Sequence, residues 1–298
     1  MAHSQPGEQD ATGVAGQELT DSRVVVLKRL AKHKLAMFGA AYIGLFVIVA
    51  IFAPYISPHS PIEQNYDMIL QSPSLEHPFG TDPFGRDVFS RVIHGFRYAL
   101  FLGVVIIGIQ GIIGIALGLV AGFYKGYVEG IIMRFVDITL SVPGIVLALA
   151  IAGMLGGGLW PLIIAVSIVG WPGFARIVRG DVKSVMEKDY IESAKAAGTP
   201  NYSIIGQQLL PNVSSSIIVY ATLTMPTAIL WSAALSFLGM GVHPPTPEWG
   251  ALIADGRGEI QTAWWVSTFP GLAIMATIIA FNAVGDGLRD ALDPKQDR

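Results

Sequence analysis

The chain of 298 residues contains no cysteine. Disulfides, iron–sulfur clusters, cysteine zinc sites and thiol catalysis are therefore excluded. Charge is also scarce: 14% of residues are Asp, Glu, Lys or Arg, and the formal net charge is -3. That balance gives no basic footprint, so no nucleic-acid partner is expected. A G-x-x-x-x-G-K-[ST] phosphate loop is missing, and Gly156-Gly157-Gly158 lacks the lysine such a loop needs. Nor is there a Ser nucleophile elbow, a His-Glu-x-x-His pair or a pair of carboxylates inside an apolar run. The six histidines (His3, His33, His59, His77, His94 and His243) have no partners at metal-ligand spacing, so no metal site is expected.

What fills the chain instead is apolar. Hydrophobic residues make up 52%, and the mean hydropathy is +0.54, a profile of an integral membrane protein. Six runs approach the ~20 residues that a bilayer core needs. They are roughly Leu35 to Pro54, Tyr98 to Gly122, Ile131 to Leu155, Leu159 to Val178, Val213 to Gly239 and Trp265 to Gly285. An all-α membrane domain over residues 35–289 is expected. Residues 1–22 read as a disordered polar tail. Residues 23–34, where Val and Leu alternate with Arg23, Lys28, Arg29, Lys32 and Lys34, read as an amphipathic helix on the membrane surface, against anionic lipid. Residues 290–298 form a C-terminal tail. No cleaved leader is expected, because the first apolar run starts late, has the length of a full span and lacks a small-residue cleavage site.

Lys and Arg fall mostly on one side of this topology, among them Lys125, Arg134, Arg176, Arg179, Lys183, Lys188 and Lys195. The opposite loops hold only Arg86, Arg91, Arg97 and Arg257. The positive-inside bias places both termini and the segment 180–212 in the cytoplasm. Trp160, Trp249, Trp264 and Trp265 are then expected at the outer interface. Gly114, Gly118 and Gly122 make two small-xxx-small steps along one helix face, a ridge for close helix packing. Arg134 and Asp137, three apart, can pair on one face, and Asp286, Arg289 and Asp290 read the same way. Pro143, Pro172, Pro226 and Pro270 mark expected kinks.

The polar island from Asp189 to Asn212 stands out from this oily background. Asp189 is suited to cap a helix over Tyr190 to Ala197, Gly198 tolerates positive φ at its end, and Pro200 prevents continuation. A second short helix, Tyr202 to Leu210, is expected to close at Pro211. Ser193, Ala194, Ala196 and Ala197 are small, so another protein could approach this backbone closely.

Glu192-Ser193-Ala194, Gly198 four residues after Ala194, and Leu209-Leu210-Pro211 resemble the EAA loop of bacterial ABC importer permeases. Ser193 replaces the usual first Ala, and Leu209 stands where Ile is common. Three further stretches join it: His77 to Arg91 before the second span, Ser236 to Gly250 after the fifth, and Trp264 through Pro294. Together they resemble the C-type permease subunit of dipeptide and oligopeptide ABC importers over about Arg23 to Pro294. The resemblance implies a type I importer permease fold with six transmembrane helices in a bacterial or archaeal cytoplasmic membrane. It implies a homologous B-type permease, two ATPase subunits holding ATP and Mg, and an extracytoplasmic solute-binding protein as partners, with no cofactor on this chain itself and no enzymatic activity of its own. Glu192, Ser193, Ala194, Gly198, Leu210 and Pro211 would form the ATPase-coupling loop. Thr81, Asp82, Arg86 and Asp87 are expected either to form a local hydrogen-bonded cap or to contact the binding protein, and the local cap is the preferred reading. Nickel and some oligosaccharide importers share this subunit type. A self-contained secondary transporter, coupling ions through Asp137 or Asp286, is the alternative of another class.

Overall fold

The computed structural model describes residue 31 and residues 33–292. The expected tails and most of the amphipathic surface helix lie outside the described residues.

Nine helices carry the described fold, and no strand forms among the described residues. Helix α1 is Lys34–Ile56, α2 Val88–Tyr124, α3 Gly126–Leu140, α4 Gly144–Met154 and α5 Leu159–Met186. The short helix α6 is Asp189–Ala196, α7 is Leu210–Phe237, α8 is Trp249–Gly256 and α9 is Trp265–Leu292. Among the described residues, five helices are long and apolar enough to cross a membrane. The pair α3 and α4, bent by 89°, makes a sixth crossing if counted as one span.

That bend corrects the expected continuous third span. The sequence from Ile131 to Leu155 is largely apolar, but Pro143 lacks an N–H and disfavours helical geometry at Val142. Helix α3 stops at Leu140, where the Ser141 hydroxyl donates to the Ile138 carbonyl. Helix α4 restarts after Pro143, which stands at its N-cap. The other prolines (Pro172, Pro226 and Pro270) sit within helices that run on through them.

Helix α2 is the longest continuous α-helix, 37 residues. At 1.5 Å per residue it spans roughly 55 Å, well beyond a ~30 Å hydrocarbon core. It therefore links the two ends of the bundle. The side of α2 that carries Gly114, Gly118 and Gly122 meets α5. A Cβ at Gly114 would lie 2.6 Å from the Trp171 carbonyl oxygen, one at Gly118 would lie 2.8 Å from that of Ala175, and one at Gly122 would lie 2.6 Å from Val182 Cγ1. Only glycine allows this approach, and dispersion across it replaces the hydrophobic drive that lipid removes. Further along the same contact, buried Gln110 donates from Nε2 to the Val166 carbonyl at 3.0 Å.

Two buried clusters hold the remaining helices. Leu102, Ile106, Leu162, Val166, Phe174 and Leu235 join α2, α5 and α7. Phe46 of α1 packs edge-on against Phe96, Trp249 and Phe281, which ties α1 to α2, α8 and α9.

Candidate functional site: an exposed loop at one end, a closed cap at the other

Helix α6 hangs between the end of α5 and the start of α7. Ile191 anchors it, fully buried with Val182, Val185, Ile204, Leu209 and Val213. The positive end of the helix dipole faces Asp189 and Glu192, and Lys195 lies in the last turn. Asp189 is the first helical residue rather than the cap. The N-cap is Lys188, which makes no side-chain capping bond.

The far end of α6 is a Schellman turn. Gly198 has φ +77, its N–H donates to the Lys195 carbonyl at 3.0 Å, and the Thr199 N–H donates to the Ala194 carbonyl at 3.0 Å. A Cβ on Gly198 would meet nothing within 4 Å. The requirement for glycine here is conformational, and the space beside it is open.

The second expected helix does not end at Pro211. A turn at Asn201–Ser203 passes into a π-helical turn, Ile204–Leu209, and then into α7, so that Asn201–Phe237 forms one 37-residue span. The π geometry fits the proline: the Leu210 N–H reaches back to the Ile205 carbonyl, and Pro211 at the second helical position has no N–H to place. Of the residues singled out in the sequence, Glu192, Ser193, Gly198, Leu210 and Pro211 are exposed and Ala194 is half-buried. Tyr202, in the turn that follows Pro200, is exposed as well.

Charged side chains brace α3 against α5. Glu129 of α3 accepts from Arg179 Nε at 2.6 Å and from Lys183 Nζ at 2.5 Å, both on α5. Asp137 pairs with Arg176 of α5 at 2.9 Å, not with Arg134. Helical spacing had offered Arg134, but the α3–α5 contact brings Arg176 closer. Arg134 instead lines an open groove of about 570 Å³ with Tyr127, Ile131 and Phe135. Asp290 is 3.9 Å from His33 across α9 and α1. At the end of α2, Lys195 Nζ lies 5.5 Å from the Phe123 ring centre.

The start of α2, at the other end of the bundle, is built in the opposite way. Thr81, Asp82, Arg86, Asp87 and Arg91 are all 2% exposed or less. Asp82 accepts from the backbone N–H groups of Phe84 (2.8 Å) and Arg86 (3.0 Å) and from Arg86 Nε (2.6 Å). Arg86 Nη2 also donates to Asp255 in the last turn of α8 at 2.7 Å, so the cap closes onto the C-terminal third of the chain. Arg91 donates to the Pro61 carbonyl at 3.0 Å. The site is two guanidinium groups held by two carboxylates, a balanced arrangement in which burial is tolerable. Gly85 at φ +70 lets the Asn65 backbone come so close that any Cβ would collide with it.

Two tryptophans expected at the lipid interface belong to this cap. Trp249 and Trp265 are buried, and their indole N–H groups donate to the carbonyls of Val92 and Thr81, each at 3.1 Å. Trp160 and Trp264 are the exposed ones. Glu248 caps α8 through a 3.0 Å bond from the Ala251 N–H. Burial pushes its carboxyl above the usual range, and bonds from the Gly250 and Ala251 N–H groups and from Ser236 pull back against that.

The histidines also depart from their sequence spacing. His59, His77 and Asp87 converge in the cap, with their ligand-capable atoms within 4.8 Å of one another. The signal for this grouping lies in the turns at Gly80 and Gly85, not in the spacing of the three residues.

Residues 114–298 match the family of the binding-protein-dependent transport system inner membrane component, and residues 24–73 match the N-terminal TM domain of oligopeptide transport permease C. The chain is 48% identical over 268 residues to a dipeptide transport system permease protein of Alkalihalophilus pseudofirmus, covering 90% of this chain and 88% of that one. It is 44% identical over 271 residues to a di/tripeptide transport system permease protein of Pseudomonas aeruginosa, covering 89% of each. A glutathione transport system permease protein of Escherichia coli is 45% identical over 269 residues, covering 90% of this chain and 89% of that one. Among solved structures, an inward-facing form of the MetNI methionine ABC transporter superposes with a TM-score of 0.54 at 21% identity, covering 69% of this chain and 98% of that one. That likeness gives the fold: a type I ABC importer permease, all-helical and multi-pass. The match across most of its length, together with the fold, means that the chain belongs to the binding-protein-dependent transport inner membrane components, as an ABC permease subunit with the N-terminal segment of the oligopeptide permease C type.

Proposed function

We propose that this chain forms half of a translocation path for dipeptides or short oligopeptides, with a homologous B-type permease as the other half. Two separate ATPase subunits hold ATP and Mg and hydrolyse it, and an extracytoplasmic solute-binding protein delivers the substrate. The relatives' names, which refer to dipeptide, di/tripeptide and glutathione transport, support the peptide class. The bias of Lys and Arg supports cytoplasmic termini, with the α6 loop inside and the Asp82–Arg86 cap outside.

The observation that carries the coupling role is the build of α6. Its apolar side is pinned by Ile191, while Glu192, Ser193 and Gly198 face open space. Small residues and a rigid glycine turn make a lever whose outer side fits into a groove on an ATPase subunit. Because α6 lies between the ends of α5 and α7, a push on it moves both spans. ATP-driven closure of the ATPases would thereby turn the path from inward-facing to outward-facing. Asp137 lies exposed in a pair with Arg176, which lends no support to an ion-coupled mechanism.

The test is purification of the tagged complex in mild detergent, with ATPase and peptide-uptake assays. Gly198→Leu costs about 1–2 kcal/mol of backbone strain, and the bundle still folds and inserts. Uptake falls by about tenfold or more, the equivalent of ~1.4 kcal/mol of docking free energy. Gly198→Asn, which accepts the same left-handed geometry with less bulk, retains more transport. Normal uptake by Gly198→Leu would remove the coupling role.

A further inference from the structure

We infer that His59, His77 and Asp87 form a binding site for a divalent transition-metal ion of the zinc class, which fastens the cap to the first turn of α2. The three residues come from three segments: the chain leaving α1, the loop before the cap, and the N-cap of α2. The two imidazole rings lie with centres 4.7 Å apart, tilted by 36°. His77 Nδ1 is 2.9 Å from Asp87 Oδ1. Two ligand atoms each ~2.0–2.2 Å from one tetrahedral ion are ~3.3–3.6 Å apart, so this pair opens by about half an ångström to hold one. The ligand atoms of the three residues lie within 4.8 Å of one another, and a movement of half-buried His59 of up to about 1.5 Å brings the set to the ~3.3–3.6 Å separation of ligands around one tetrahedral ion.

The surroundings orient each donor. Asp87 divides its oxygens: Oδ2 caps α2 through the Ser90 N–H at 2.7 Å, and Oδ1 faces His77. Ser90 Oγ accepts from the His59 backbone N–H at 3.2 Å, so the cap of the helix also positions the histidine. His59 Nε2 lies 3.0 Å from the Glu76 carbonyl. When that nitrogen carries the proton, Nδ1 is left with a free lone pair. A cavity of about 270 Å³ opens onto the cluster and is also lined by Glu63, Glu76 and Asn65, which leaves room for a further carboxylate or water ligand. Two imidazoles with a carboxylate suit zinc and its borderline neighbours better than magnesium or calcium, which take oxygen ligands. Without an ion, the same residues would serve only as a hydrogen-bonded brace for the α2 cap, and the experiment separates the two.

The full complex, carrying an affinity tag free of histidine, is stripped with chelator, equilibrated with Zn²⁺ and passed through a desalting column. Metal content is then measured by mass spectrometry. The His59→Gln complex serves as the blank for zinc held elsewhere, and size-exclusion chromatography checks that it assembles. His59 is chosen because it is only half-buried, whereas loss of buried His77 could unfold the cap. The wild type retains about one zinc more per chain than His59→Gln. Zn²⁺ raises the thermal unfolding temperature of the wild-type complex and leaves that of the mutant unchanged. His243→Gln, on the same end of the molecule but outside the cluster, retains zinc like the wild type. Equal retention by the wild type and an assembled His59→Gln complex would overturn the site, and so would loss of zinc from His243→Gln.

Discussion

The two ends of helix α2 use charge in opposite ways. At the cap, Asp82, Arg86, Asp87 and Arg91 are buried and hydrogen-bonded: the two carboxylates to Arg86 and Ser90 close by, the two guanidinium groups also to Asp255 and Pro61 in distant segments. At the loop, Asp189, Glu192 and Lys195 are exposed and Ile191 is the one fully buried residue of its helix. A charge buried in the cap needs hydrogen-bonding partners, because an unpaired buried charge is costly. A charge on the loop is solvated, and its surface is left for something else to cover. The cap is closed by contacts within this chain, whereas the loop presents an exposed surface, the one proposed above to dock on an ATPase subunit.

The sharpest way to break this contrast is Arg86→Ala. It leaves buried Asp82, and half-buried Asp255, without their principal partner. Removing one member of a buried pair costs about 3–5 kcal/mol. The expected outcome in detergent is a large drop in unfolding temperature and loss of the complex from the membrane fraction. Arg86→Lys keeps the charge but not the forked geometry, and a smaller drop is expected. If Arg86→Ala unfolds at the wild-type temperature, the cap is not held by its ion network.

Much of this architecture was legible in the sequence. Long apolar runs determine helical spans by the demands of lipid, and the Gly114–Gly118–Gly122 spacing marks a close helix contact whatever the partner. The loop was readable because polar residues, Gly198 and Pro211 interrupt an apolar background. What escaped depended on contacts between distant segments. Hydropathy runs smoothly through Pro143, so only backbone geometry could show the 89° break. A tryptophan at a span end looks the same whether it faces lipid or, like Trp249, donates to Val92 inside the cap. Helical spacing offered Asp137 a partner in Arg134, but helix packing supplied Arg176. The His59–His77–Asp87 group depends on two turns and on the α2 N-cap, none of which spacing reveals.

A finer probe of the cap uses pH. Burial raises the Glu248 carboxyl above its ordinary value, so the folded state favours the protonated form. Its contribution to stability is fully present below the ordinary carboxylate range and is lost as pH rises through the raised value. Glu248→Gln is neutral throughout. Unfolding temperatures of the two proteins, compared from about pH 4 to 8, are expected to diverge in favour of Gln as pH rises. Parallel curves would mean that the Gly250 and Ala251 N–H groups stabilise the carboxylate enough to cancel its burial.

The smallest effect on stability is expected at the loop, where it says the most about function. Lys195→Cys removes an exposed charge whose nearest aromatic neighbour, Phe123, is 5.5 Å away. A surface change of this kind moves stability by about 0.5 kcal/mol or less, against several for an arginine in the cap. Because the natural chain has no cysteine, the new thiol is the only one it carries. In permeases stripped of ATPase subunits it should react freely with a maleimide reagent. In the assembled complex its labelling should slow by about tenfold or more, corresponding to a contact worth ~1.4 kcal/mol or above. Slowing of that kind would identify the loop as a surface left open by this chain and closed by a partner. Equal labelling in both states would mean that the loop is simply solvated, and the difference between the two ends of α2 would then concern folding alone.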